Sequence, residues 1–265
     1  MKKLNWIERT KQNIEGIVFE RKVNEQLKQD NKNDLSLLKQ LNSELKPFKV
    51  KIELQNYEVS PFSASDVGVV PIILKYADLL ERDINKAFIL STLRASGFDA
   101  AVPYLIAFYK SLLQKYNSPQ DETVLLSVCD TIAKIGSDRY IDEYVELLDL
   151  PVTPAMGGII EMLGKVRSDR IESAVFRLIE RENRIPEAWI GKPNETDKYW
   201  CSQIALIYIV NRRNTKYYSF IERFISPEKL DWIAFAESKY SKRNYAECYK
   251  IYKKIAQKGL NYLKK

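Results

Sequence analysis

The sequence predicts an all-α protein, a right-handed solenoid of stacked helical hairpins (an α-α superhelix), and three observations carry that expectation. Only 9 Gly and 10 Pro occur in 265 residues, far below the turn density that a sandwich or barrel of this size needs. One apolar pattern recurs four times, before Gly97, Gly136, Arg167 and Arg213, at spacings of 39, 31 and 46 residues, the period range of helical solenoids. A single short stretch alternates with the period of a strand.

Residues 3–31 predict a long polar helix with Leu4, Ile7, Ile14 and Val18 on one stripe, followed by a second helix carrying Leu38, Leu41 and Leu45. Between Pro47 and Pro61 the pattern changes, and Val50, Ile52 and Leu54 alternate with Lys51, Glu53 and Gln55. Two readings satisfy it: an extended connector lying on the repeats, or a short strand whose missing edge a partner supplies. Residues 1–66 are therefore expected to form an N-terminal helical cap and an extended connector.

Residues 67–226 carry the repeats. Eight positions before each anchor stand Ile89, Val128, Ile159 and Ala205; seven before stand Leu90, Cys129, Ile160 and Leu206; four before stand Leu93, Ile132, Leu163 and Ile209. Those offsets make one face of a first helix. A second helix follows each anchor, with Leu105, Tyr144, Val175 and Ile221 eight positions on, and Tyr109, Leu148, Ile179 and Ile225 twelve positions on. A lone hairpin cannot cover such a stripe on every side, so stacked neighbours must bury it. Cys129 falls in the apolar column and is assigned to packing, as a small hydrophobe; Met156 and Met162 are core or near-core fillers.

The turns are worded alike. Ala133-Lys134-Ile135-Gly136-Ser137-Asp138-Arg139 and Gly164-Lys165-Val166-Arg167-Ser168-Asp169-Arg170 precede the near-parallel segments Tyr144-Val145-Glu146-Leu147-Leu148 and Val175-Phe176-Arg177-Leu178-Ile179. This resembles HEAT repeats of the phycobilisome-lyase-like type found in many bacterial proteins. The resemblance is closest over residues 122–182, extends to 67–114, and reaches 197–226, where Arg213-Asn214-Thr215 replaces the Gly-Ser-Asp turn. It implies an armadillo-like scaffold used for protein–protein interaction. Gly136 suits a left-handed helix end, which Arg167 and Arg213 must reach some other way.

Residues 227–265 close the chain. Tyr240, Tyr245, Cys248, Tyr252 and Ile255 are spaced like the paired helices of a tetratricopeptide repeat, which implies a C-terminal capping hairpin.

Composition bounds the function. The chain is 45% hydrophobic and 29% charged, as in ordinary soluble domains. The segment Met1-Lys2-Lys3-Leu4-Asn5-Trp6 has no apolar stretch of signal-peptide length behind it, and no apolar run approaches the roughly 20 residues of a membrane span. A cytoplasmic chain without membrane contact is expected. Its three cysteines form no CxxC pair, so neither a disulfide framework nor a zinc module is suggested.

The chemistry of catalysis is poorly supplied. With no histidine, the commonest acid/base, the usual metal ligand and every Ser-His or Cys-His pair are missing. No GxxxxGK[ST] or GxGxxG turn occurs, so no catalytic residue, metal or cofactor is expected. The acidic group Asp142, Glu143, Glu146 and Asp149 reads as a solvated helix face. HEAT-like DNA glycosylases share the general architecture, and Trp189, Asp197 and Trp200 invite the comparison, but no family motif aligns on them.

A partner would meet the exposed stripe of the second helices, at three, seven, ten and fourteen positions past each anchor. Ala100, Tyr104, Ala107 and Ser111 make it neutral in the first repeat; Arg139, Glu143, Glu146 and Leu150 make it mixed in the next. Arg170, Arg177 and Arg181, then Lys216, Phe220 and Arg223, turn it basic and aromatic. The insertion from Glu182 to Thr196 carries Trp189 and projects as a further binding loop. The expected function is a monomeric, non-catalytic adaptor or inhibitor of a protein, of the kind that includes toxin-neutralising immunity proteins. The net charge of +7 keeps a nucleic-acid partner as the alternative.

Overall fold

The computed structural model describes residues 32–49, 52, 62, 66–115, 119–150, 153, 155–181, 198–225 and 242–264. Among them eleven α-helices occur and no strand. The chain divides into two compact units, Met1–Thr92 and Leu93–Lys265.

In the first unit, helix α1 (Lys32–Glu44) packs on α2 (Val69–Leu79), and α2 on α3 (Asp83–Leu90). Leu38, Leu41 and Leu45 are buried, as the sequence pattern requires. The carboxylate of buried Asp34 accepts hydrogen bonds from the Glu81 backbone N–H and from Asn85 Nδ2, at 3.0 and 2.6 Å. Both oxygens are thus engaged, which offsets the cost of taking the group out of water.

Of the period-two stretch only Ile52 is described; Val50 and Leu54 lie outside the described residues, as do residues 3–31. Ile52 is buried. Its N–H donates to Asn42 Oδ1 at 2.7 Å and its carbonyl accepts from Asn42 Nδ2 at 2.8 Å. A side-chain amide here satisfies the backbone pair that a neighbouring strand would otherwise take.

The second unit holds the remaining helices: α4 (Val102–Lys115), α5 (Pro119–Ile135), α6 (Ile141–Leu147), α7 (Met156–Leu163), α8 (Asp169–Arg181), α9 (Lys198–Arg212), α10 (Tyr218–Arg223) and α11 (Lys242–Leu263). Helix α4 packs on α5, α5 on α7, α7 on α9, and α9 on α11; alongside run the pairings α6 with α8 and α8 with α9. The C-terminal segment is a single helix over its described length, with Tyr252 buried on α9 and α10's side. Tyr240 lies outside the described residues, and of Tyr245 and Cys248 only the backbone is described.

Burial tests the register of the repeats. Of the twenty column residues named above, all except Ile225 are buried, and Ile225 is half-buried at a turn just beyond α10. A one-residue error in the alignment would have brought Arg94, Lys110 or Gly164, all exposed, into the columns. Cys129 is fully buried, and burial holds its thiol far above the ordinary range; it stays protonated and packs as a hydrophobe.

The helix ends follow from the anchors. Gly97 and Gly136 adopt positive φ, at 102° and 61°, and so does Arg213, at 53°. A side chain in that region costs about 1 kcal/mol. The next residue then caps the following turn: Ser137 Oγ accepts from the Arg139 N–H, and Asn214 Oδ1 from the Lys216 N–H. Arg213-Asn214 therefore repeats the geometry of Gly136-Ser137 with different residues. Arg167 does not enter the left-handed region. The last carbonyls of α7 are instead taken by the backbone N–H groups of Gly164, Lys165 and Val166, and Arg212 Nη2 caps the turn beyond, donating to the carbonyls of Val166 and Gly164 at 2.6 and 3.3 Å.

Two stability predictions follow from this packing. Ile132→Ala and Leu163→Ala are each expected to cost about 2–5 kcal/mol in urea unfolding, because each leaves a cavity in a fully buried column; a loss under about 0.5 kcal/mol, the surface range, would refute the register. The second concerns the α9–α11 contact, where a Cβ on Gly259 would stand 2.7 Å from Val210 Cγ2 and 2.9 Å from Cγ1. Gly259→Ala is expected to destabilise by about 1–3 kcal/mol through overpacking. Adding Val210→Ala should recover part of that loss, a coupling that independent sites would not show.

Candidate functional site

The stripe of the second helices reaches the surface, but those of its cations whose side chains are described are already engaged within the molecule. Arg170 Nη1 donates to Asp142 Oδ1, and Arg177 donates through Nη2 to both oxygens of Asp149 and through Nε to one of them. Each pair joins α8 to the α6 region of the preceding repeat across 28 residues. The acidic group read as a solvated face is thus, at Asp142 and Asp149, one side of an ion-pair ladder.

Lys216 pairs with Glu172 at 3.1 Å. Glu172 is itself buried and also accepts from Asn214 Nδ2 at 3.1 Å. The Tyr217 hydroxyl and then Glu172 hold the Lys216 ammonium above its ordinary pKa. Arg139 lies over the Tyr140 ring at 5.7 Å and Arg223 over the Phe220 ring at 5.9 Å.

Phe220 is not on the surface, contrary to the sequence expectation. It is buried, with its ring 4.7 Å from Phe176 and 5.3 Å from Phe224, both edge-on. Phe176 also stacks on Tyr217, and Phe224 on Tyr252. The aromatic at the basic end of the stripe belongs to a packed ladder running from α8 through α10 to α11. Arg181 has only its backbone described, at the end of α8, while Trp189 and Asp197 lie outside the described residues; of Trp200 the backbone alone is described.

A second feature lies between two of the first helices, and the sequence pattern does not single it out. An open cleft of about 530 Å³ runs between α7 and α9. Ile160, Ile204 and Ile207 supply its aliphatic lining, and Lys165, Arg167 and Arg212 its cations; Glu161 and Asn211 complete the polar rim. Ile207 is 42% exposed. Arg212 is held by the two carbonyls at the end of α7 and lies 4.3 Å over the Tyr208 ring. Burial raises the Tyr208 hydroxyl above its ordinary pKa, against the opposing charge of Arg212.

Lys165 and Arg167 stand in the very turn that the repeat alignment marks, yet charge in a turn is too common to single out a site. Among the described residues no three of Cys, Asp and Glu converge as a metal site requires, and no described helix is long and apolar enough to cross a membrane. Scans of family models, curated proteins and solved structures return no match to this chain.

The ladder should behave as surface ion pairs do. In a double-mutant cycle of Asp149→Ala and Arg177→Ala, the coupling energy is expected below about 1 kcal/mol, both side chains being near half-exposed. It should shrink further between low and physiological salt, read by urea unfolding.

Proposed function

We propose that the chain is a non-catalytic α-solenoid of HEAT-like hairpins that binds another protein, as an adaptor or an inhibitor; a toxin domain is one class of such target. The serial packing of α5, α7, α9 and α11 supports the solenoid part of this reading. Each hairpin hides its apolar columns against the next and leaves long helix surfaces for a partner.

One observation favours a protein over a nucleic acid. The cations that would have tracked a phosphate backbone along the second helices are neutralised at Arg170 and Arg177 by Asp142 and Asp149. A phosphate backbone gains by releasing counterions to unpaired cations, whereas alternating charges complement a protein surface.

Affinity capture from source cells at physiological salt, with and without nuclease, tests the reading. A stoichiometric protein partner that survives nuclease is the expected result. Loss of all captured material on nuclease treatment, with affinity for DNA or RNA falling steeply as salt rises, would establish the nucleic-acid alternative instead.

A further inference from the structure

The α7–α9 cleft differs from the stripe in the state of its charges. Along the stripe, every described cation that the sequence singles out rests on an acid or a ring of the same chain. In the cleft, the side chains of Lys165 and Arg167 form no ion pair among the described residues, although both are exposed. Arg212 beside them is fixed by Val166, Gly164 and the Tyr208 ring. A cation held in place before binding loses little rotamer freedom on contact, which strengthens whatever anion it meets.

We infer that this cleft receives an acidic, aliphatic-bearing segment of the protein partner, an inference that rests on the protein-binding reading above. Among the described residues three cations face one carboxylate, Glu161, so the rim favours an anion. The lining between them is aliphatic, and the half-exposed Ile207 offers apolar surface to a Leu or Ile side chain rather than to a phosphate. Single-stranded nucleic acid needs open aromatic faces for its bases, and among the described residues the one aromatic ring lining the cleft, Tyr208, is buried beneath Arg212. The volume, about 530 Å³, lies within the roughly 300–1,000 Å³ of pockets that enclose a compact ligand. It has room for a few side chains.

The test uses the full chain with isotope-labelled isoleucine methyls and three probes: a peptide alternating Glu with Leu, an oligoglutamate of equal charge, and oligothymidylate. The alternating peptide should shift the Ile204 and Ile207 methyls saturably and bind more tightly than the other two. Lys165→Glu with Arg167→Glu should weaken it by about tenfold or more, as loss of close charge pairs does. Arg170→Glu with Arg177→Glu should leave affinity within about twofold, since rim contacts away from a site are near neutral. Ile207→Asp should weaken the peptide while leaving the melting temperature unchanged, because Ile207 is exposed.

Equal binding of oligoglutamate or oligothymidylate, no shift at Ile204 and Ile207, or loss of binding in the stripe variant alone would each overturn the inference. The reading it rests on fails separately. A partner captured as well by the Lys165→Glu, Arg167→Glu protein as by the parent chain removes the cleft and leaves protein binding intact. Capture that depends wholly on nucleic acid removes both.

Discussion

The second unit depends on the burial of α9 between three neighbours. This helix packs on α7, α8 and α11, and Ala205, Leu206 and Ile209 are completely withdrawn from solvent. At about 1.5–3 kcal/mol for each large aliphatic side chain buried, that face is a substantial share of the marginal stability of a domain of this size. Its small residues matter as much as its large ones. Gly259 lets α11 lie so close that a methyl group would collide with Val210, and Ala205 occupies the column position that Ile89, Val128 and Ile159 fill elsewhere.

The same helix decides how its neighbours end. Each first helix must close its last carbonyls before the chain turns into the second helix. The N–H of Gly136 closes α5 and that of Arg213 closes α9, both from positive φ, while α7 ends on the N–H groups of Gly164, Lys165 and Val166 and has the turn beyond it capped by a guanidinium from α9. The Arg213 side chain lies over Tyr262 at 4.6 Å, a contact that α11 supplies and that offsets part of the backbone cost. Arg212 and Arg213 are adjacent in sequence, yet one secures the preceding repeat and the other meets the following helix. Sequence alone could mark the missing glycine; it could not say which of two arginines would replace it.

The apolar columns were legible because burial repeats with the helix period, and an error of one residue would have placed exposed side chains in the core. The face of the stripe was legible for the same reason, but not its chemistry. Arg170 and Arg177 read as a basic surface along their own helix, while Asp142 and Asp149 lie one repeat earlier. Only packing of the second helices brings the two sets within hydrogen-bond distance. Phe220 failed differently: the helical offset places it on the stripe, yet α10 is short and Phe176 and Phe224 close around it, with Tyr252 stacked behind Phe224. A large aromatic beside other rings gains more from burial than its nominal helix face would suggest.

Net charge is consequently a poor guide to where unpaired charge lies on this chain. An excess of seven positive charges describes the field at a distance, which steers encounter. Contact depends instead on which charges remain unspent once the repeats have packed. Where second helices lie side by side, Asp and Arg of successive repeats neutralise each other, leaving a mixed surface with little net attraction. At the turn after α7 no such neighbour exists among the described residues, and Lys165 and Arg167 keep their charge beside an aliphatic cleft. The packing of the helices thus also selects which of the described cations stay without an ion-pair partner, leaving Lys165 and Arg167 at the cleft unpaired while Arg170 and Arg177 on the stripe are paired.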